Sequence, residues 1–282
     1  FETAIGHMRQ GIAVFDATFR MATCNAAFLE MYAMTPEEAP PGTPLETILR
    51  LRVAKGTYSG DDPEKYVQDR LELVANPEKP DTTDVQRIKN GRYFRTFKQH
   101  LPEGGWVTIH EDVTERENAL SDLRFLARHD PLTGLANRAL LFEQLRAVHR
   151  DETWREHAAL LLIDLDGFKS VNDKFGHGVG DALLKAVADR FRINLAETDT
   201  LARLGGDEFA ILRPREDGGT PALVALAERI LDTFREPFAI APHLLKVGAS
   251  IGIATAWGGL PSPDEALRQA DLALYRAKSD GR

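Results

Sequence analysis

The chain has 282 residues, 43% of them hydrophobic and 28% charged, with a formal net charge of −8. That length suits about two domains, each with its own core, and the acidic balance excludes a broad nucleic-acid-binding surface. The lone cysteine, Cys24, excludes an internal disulfide, and no apolar run approaches the roughly 20 residues that cross a bilayer.

These features predict a cytoplasmic protein with no membrane contact within this stretch. The start at Phe1 instead of Met and the stop at Arg282 read as an excerpt of a longer chain.

In chain order, Gly11 to Asp16 and Phe19 to Cys24 read as two strands around a tight turn. Asn25 is placed to cap a short helix, Ala26 to Tyr32. A Pro-rich loop, Pro36 to Pro44, leads to a helical stretch that breaks near Gly60 and runs to about Ala75. Three strands are predicted next, Thr83 to Lys89, Tyr93 to Gln99 and Trp106 to Asp112. Asn90-Gly91 forms the hairpin turn between the first two. This order resembles the PAS sensor fold, and Glu111 to Arg116 (EDVTER) resembles the exit by which PAS domains pass into a signalling helix.

The polar helix Thr114 to Arg128 follows. Val113, Leu120 and Ala127 recur at heptad spacing with Leu123 between them, a seam for a short parallel coiled coil or for packing on the helix's own domain. Thereafter helix and strand alternate. Ala158 to Leu165 is a buried strand, Asp181 to Leu195 an amphipathic helix, and Leu201 to Leu204 with Glu208 to Leu212 a hairpin about Gly205-Gly206. Ala222 to Phe234 is a helix, Leu244 to Ala256 is strand-rich, and Pro263 to Lys278 is a last helix that Ser262 can cap. The domains are therefore 1–113, a linker helix 114–128, and 129–282.

Four pieces of the second half carry chemistry. Gly205-Gly206-Asp207-Glu208 leaves two carboxylates at a tight turn. Asp164 ends a buried strand, where a carboxylate is costly unless it is paired or holds a metal. If the strand and the hairpin lie side by side, Asp164, Asp207 and Glu208 form a hard-oxygen site suited to Mg²⁺, which also takes phosphate oxygens as ligands. Gly167 and Phe168 then start a helix whose free N–H groups favour a phosphate, with Lys169 adding charge. Asn172 and Asp181 flank a Gly-rich loop, and an amide with a carboxylate can read a guanine edge. Lys278 and Arg282 lie one turn apart and suit phosphate oxygens.

Two other readings fail on spacing. Asp164-x-Asp166-Gly167 puts its glycine at the fourth position, not the sixth that a calcium loop needs. Gly176 to Gly180 does not follow the dinucleotide G-x-G-x-x-G.

Together with Asp130-Pro131-Leu132-Thr133-Gly134-Leu135, Asn137-Arg138 and the Ala270 to Lys278 run, these pieces resemble the GGDEF family of diguanylate cyclases over residues 129–282. The resemblance implies an α+β protein: a PAS fold, a linker helix, and a cyclase-like domain with a mainly antiparallel central sheet. It implies that two GTP are joined into cyclic di-GMP with release of two pyrophosphates, under PAS control. Asp164, the Leu165 carbonyl, Asp207 and Glu208 would hold one or two Mg²⁺, and Asp207, Glu208 and Lys169 would be catalytic. Asn172 and Asp181 would select guanine, while Phe168, Lys169, Lys278 and Arg282 hold the triphosphate and His177 lines the cleft. Each subunit binds one GTP, so the enzyme would be a homodimer through its PAS domain and linker helix.

The same resemblance leaves open a catalytically silent GTP-binding or dimerisation module regulating a phosphodiesterase domain outside this stretch. The family's product-inhibition motif, R-x-x-D, has Ala196 in place of its Arg, with Asp199 retained, so weak or absent feedback is expected. Gly167 stands where the family has a bulkier residue, which a loop acting through backbone N–H groups tolerates. In the sensor half the flavin-adduct motif is missing, so Cys24 is read as a small buried residue. His7, His100 and His110 are read as packing or surface residues, since no haem motif accompanies them. The ligand of the sensor is not legible.

Overall fold

The structure, a computed structural model, describes residues 8–75, 83–152, 157–213, 219–255 and 262–279. His7 and Arg282 therefore lie outside the described residues. The chain divides into two compact units, 1–121 and 122–282.

The first unit contains β1 (Gly11–Phe15), β2 (Met21–Cys24), α1 (Ala26–Met31), α2 (Leu45–Ala54), α3 (Pro63–Ala75), β3 (Thr83–Arg87), β4 (Tyr93–His100) and β5 (Trp106–Asp112). The strands form one antiparallel sheet in the order β2-β1-β5-β4-β3. Alternation on β1 turns Gly11, Ala13 and Phe15 to the core. Asn25 caps α1 by accepting from Phe28 N, and it also accepts from Ile12 N at 2.8 Å, tying the helix to β1. The second strand starts two residues later than expected. Asp16 draws Thr18 and Arg20 into an Asx-type turn, and Phe19 takes φ 62° there. The Asn90-Gly91 hairpin forms as expected, with Gly91 at φ 87°.

The linker helix α4 (Thr114–Arg128) starts on Asp112, whose carboxylate accepts from Thr114 N at 3.0 Å. None of its residues is buried, and Leu123, Phe125 and Leu126 are 62%, 47% and 50% exposed. Val113 departs from the expected seam. It is buried in the first unit, and its N–H donates to Tyr93 O.

The second unit contains α5 (Arg138–Arg150), β6 (Ala159–Asp166), α6 (Phe168–Phe175), α7 (His177–Arg192), β7 (Thr200–Gly205), β8 (Glu208–Arg213), α8 (Gly219–Asp232), β9 (Phe238–Ile240), β10 (His243–Leu245), β11 (Gly248–Thr255) and α9 (Pro263–Ser279). The main sheet is antiparallel, in the order β11-β6-β8-β7. The central strand β6 is buried on both faces, which is why its sequence reads as an unbroken apolar run. Leu161, Ile163 and Leu165 share a core with Leu183, Val187 and Phe191 of α7 and Leu226 and Ile230 of α8. Leu160 and Leu162 share the other with Leu141 and Leu145 of α5 and Ala270 and Leu274 of α9.

Two features depart from the sequence reading. Helix α5 was not anticipated, although Leu141, Leu145 and Val148 give its buried stripe and Asn137 caps it through Leu140 N. Helix α7 begins at His177, not Asp181. The supposed Gly-rich loop is thus a single joint, Gly176 at φ 84°, between two helices.

Glycine is required at Gly252 for a different reason. A Cβ there would lie 2.2 Å from Ala270 O, so α9 sits directly on β11. That close seat fixes where the end of α9 falls. Among the described residues no helix is long and apolar enough to cross a membrane.

Candidate active site

The β7–β8 turn is held from outside the hairpin. Gly205 (φ 146°) and Gly206 (φ 53°) take conformations that side chains resist, and the register slips between Arg203 and Gly205. Arg203 spans the gap. Its Nε and Nη2 donate to Gly206 O at 3.0 and 2.7 Å, and its Nη1 donates to both Asp130 oxygens at 3.0 and 2.9 Å. Asp130 is anchored in turn by Thr133 N and Oγ1. Burial pushes the Asp130 carboxyl up, but the Thr133 hydrogen bonds and the Arg203 guanidinium outweigh it and hold it below the ordinary carboxylate range. Asp130 opens a motif noted above, and nothing local in the sequence ties it to Arg203.

This latch sets the carboxylates. Asp164 on β6 lies opposite Glu208 on β8, so the two side chains share the sheet face covered by α9. Leu165 N donates to Asp207 O at 3.3 Å. On an antiparallel strand a residue's N–H and C=O point to the same edge, so the Leu165 carbonyl faces that turn too. From the end of α9, Lys278 Nζ reaches Asp164 Oδ1 at 2.7 Å. The Asp207 carboxyl is pushed up, first by burial and then by the Asp164 charge, against the opposing pull of its own backbone hydrogen bond, Lys278 and Arg203. Asp164, Asp207, Glu208 and Lys278 are therefore brought together at one corner.

The residues fit a divalent ion. Among the described residues no three acidic, His or Cys side chains form a ready-made metal cage. However, Mg²⁺ takes only one or two carboxylates when substrate phosphates complete its shell. Mutual repulsion between Asp164 and Asp207, with an ammonium drawn onto Asp164, marks a corner that is short of positive charge.

The second group lies at the α6–α7 joint. Gly167, at φ 77°, turns the chain from β6 into α6 without a side-chain cap, leaving first-turn N–H groups available. Phe168 is buried and Lys169 is exposed on that turn. Asn172 Oδ1 is buried with no hydrogen-bond partner. It rests so close to Gly180 that a Cβ there would meet it at 1.9 Å. His177 and Asp181 are exposed on the first turns of α7. Elsewhere, Asp199 is not free to bind a ligand. It accepts from Arg213 Nε and Nη2 and from Ala196 N.

Comparison with known proteins agrees with this geometry. The profile described as "Diguanylate cyclase, GGDEF domain" matches residues 127–282, and that described as "PAS fold" matches residues 5–121. The chain is 34% identical to the probable diguanylate cyclase DgcE of Escherichia coli K12, over 97% of this chain and 25% of that protein. It is 42% identical to the bifunctional diguanylate cyclase/cyclic di-GMP phosphodiesterase MucR of Pseudomonas aeruginosa, over 60% of this chain and 25% of that protein. The chain thus spans about a quarter of the length of these curated relatives. Among solved structures, a sensory box/GGDEF family protein from Caulobacter crescentus CB15 is matched at 39% identity and TM-score 0.50, over 55% of this chain and all of that one. The coiled coil and GGDEF domain of DgcB from Caulobacter crescentus, in complex with c-di-GMP, is matched at 28% identity and TM-score 0.54, over 60% and 90% of the two chains. The chain belongs to the GGDEF family of diguanylate cyclase domains, here preceded by a PAS fold.

Proposed function

We propose that the chain is an active diguanylate cyclase, joining two GTP into cyclic di-GMP under the control of its PAS unit. The corner of Asp164, Asp207, Glu208 and Lys278 carries this reading, since it pairs excess negative charge with a cationic side chain beside a helix N-terminus. Asp164, the Leu165 carbonyl and Asp207 would hold Mg²⁺, with Glu208 at a second ion or at the attacking hydroxyl. Bound there, the metal neutralises phosphate charge and lowers the hydroxyl pKa.

The chain's own residues do the positioning. Arg203 and Asp130 hold the turn so that Asp207 and Glu208 stay on the β6 side. The free N–H groups at Phe168 and Lys169 take phosphate oxygens, and Lys169 adds a charge. Lys278 moves from Asp164 to the triphosphate, and Arg282 takes the role that the family resemblance gives it. The orphaned Asn172 oxygen and the Asp181 carboxylate accept from the guanine N1–H and 2-amino groups, and His177 borders the cleft. In the reaction a ribose 3′-oxygen bonds to an α-phosphorus, the bond to the β-phosphate oxygen breaks, and pyrophosphate leaves. Positioning supplies much of the rate.

Each chain holds one GTP, so two chains must face each other. The half-buried Leu120 and the exposed Leu123 and Ala127 of α4 offer the seam, which makes its alignment the control point. Ala196 in the Arg position, with Asp199 engaged by Arg213, favours weak product feedback. Incubating the protein with GTP and Mg²⁺ and separating the nucleotides tests the reading. Cyclic di-GMP with pyrophosphate supports it, and bound but unchanged GTP supports the silent module instead.

A further inference from the structure

The PAS unit encloses a cavity of about 350 Å³ between its sheet and helices α2 and α3, at the small end of the roughly 300–1,000 Å³ of ligand sites. One part of its wall is apolar. Phe15 and Trp106 stack at 5.0 Å, and Ile48 and Leu49 line the cavity as well. The other part is cationic, with Arg52, Arg70 and Lys98 among the lining side chains and Asp84 as the one carboxylate among the described lining residues.

The two guanidinium groups lack a counter-ion among the described residues. Arg52 lies over the Tyr32 ring at 3.8 Å and within 5.5 Å of the Tyr66 ring, and its Nε is buried with no hydrogen-bond partner. Arg70 donates to the neutral Gln86 amide and lies 5.8 Å from the same Tyr66 ring. Asp84 is exposed and receives a hydrogen bond from Gln86. Lys98 is buried, with its Nζ donating to Leu73 O at 3.3 Å. Behind the arginines, His110 lies 2.8 Å from Tyr32 Oη. Burial, reinforced by the Arg52 and Arg70 charges, holds its ring well below the ordinary imidazole range, so it stays neutral and adds no further positive charge.

Partly buried cations without an anion are costly, and an arginine fork matches a carboxylate in two parallel hydrogen bonds. We propose that this cavity binds a small organic carboxylate, its carboxylate gripped by Arg52 and Arg70 and its compact apolar body packed beside the Phe15–Trp106 pair. The bound anion completes the charge balance of the interior and makes the cavity the input site of the sensor.

The test uses the whole chain with Trp154→Phe and Trp257→Phe, which leaves Trp106 as the single tryptophan. Its fluorescence is titrated with benzoate, phenylacetate and 3-phenylpropionate, and with their primary amides. At least one acid should saturate, its amide binding at least about tenfold more weakly, as loss of a charged hydrogen bond requires. Arg52→Gln and Arg70→Gln should each weaken the acid by about the same factor. If removing Arg52 from over the Tyr32 ring unfolds the unit, Arg70→Gln and the acid–amide comparison decide alone. The proposal is overturned if no acid saturates, if amides bind as well as acids, or if folded variants bind the acid as tightly as the parent.

Discussion

Replacing Arg203 with Met should cripple catalysis without touching the nucleotide. The side chains of Arg203 and Asp130 are only 11% and 15% exposed. Removing one partner of a fully buried ion pair costs about 3–5 kcal/mol. Here Asp130 keeps its Thr133 hydrogen bonds and some solvent, so about 2–3 kcal/mol is expected, part of it from the orphaned Gly206 carbonyl. At about 2–4 °C per kcal/mol for a unit of this size, the second unit should melt roughly 5–10 °C lower. The turn carrying Asp207 should loosen, so kcat falls while KM for GTP holds. Arg203 also helps keep Asp207 ionised, so the acid limb of the pH–rate profile should move to higher pH. Thermal unfolding and steady-state turnover of Arg203→Met, Asp130→Asn and the double variant read all three effects. Melting within about 1 °C of the parent, or strict additivity in the double variant, would refute the latch.

Four other outcomes follow from the same structure. Asp207→Asn should lower turnover by at least about 10²–10³-fold. It should also raise the melting temperature of the metal-free chain slightly, because burial and Asp164 disfavour the charge it removes, and a lowered melting temperature would count against that. Asp181→Ala should narrow the preference for GTP over ATP, measured as a ratio of kcat/KM, and an unchanged ratio would remove its guanine-reading role. His110 stays neutral in the fold while the unfolded chain takes up a proton below about pH 6.5. The stability of the PAS unit should therefore be full above that pH and fall as pH drops below it, by up to about 1.4 kcal/mol per unit. His110→Gln should flatten that slope in denaturant melts at successive pH values. Leu123→Lys on the exposed face of α4 should shift sedimentation toward monomer and reduce turnover together, and loss of neither would remove α4 from the control point.

The sequence was most legible where one residue type serves one local purpose. Asn25 as a cap, Asn90-Gly91 as a hairpin and the unbroken apolar run of β6 all form as their local chemistry dictates. The ordered motifs of the second half also identified the family before any geometry was known. What escaped depends on pairing across the chain. Arg203 and Asp130 are 73 residues apart, and neither signals the other. The early start of α7 ran against the low helix propensity of Gly178 and Gly180. Tertiary contact won there, because only a glycine at 180 lets Asn172 lie against the helix. Val113 fitted a heptad by spacing, yet its hydrogen bond to Tyr93 commits it to the PAS unit. Spacing reports a face, and only packing decides which neighbour covers it.

Crystals grown with Mn²⁺ and a non-hydrolysable GTP analogue would test the central claim most directly through the anomalous signal of the ion. The account predicts a peak at coordination distance, about 2.0–2.2 Å, from the Asp164 and Asp207 carboxylates, with Lys278 turned from Asp164 to the triphosphate. An ion bound elsewhere on the nucleotide, with Lys278 still paired to Asp164, would contradict it.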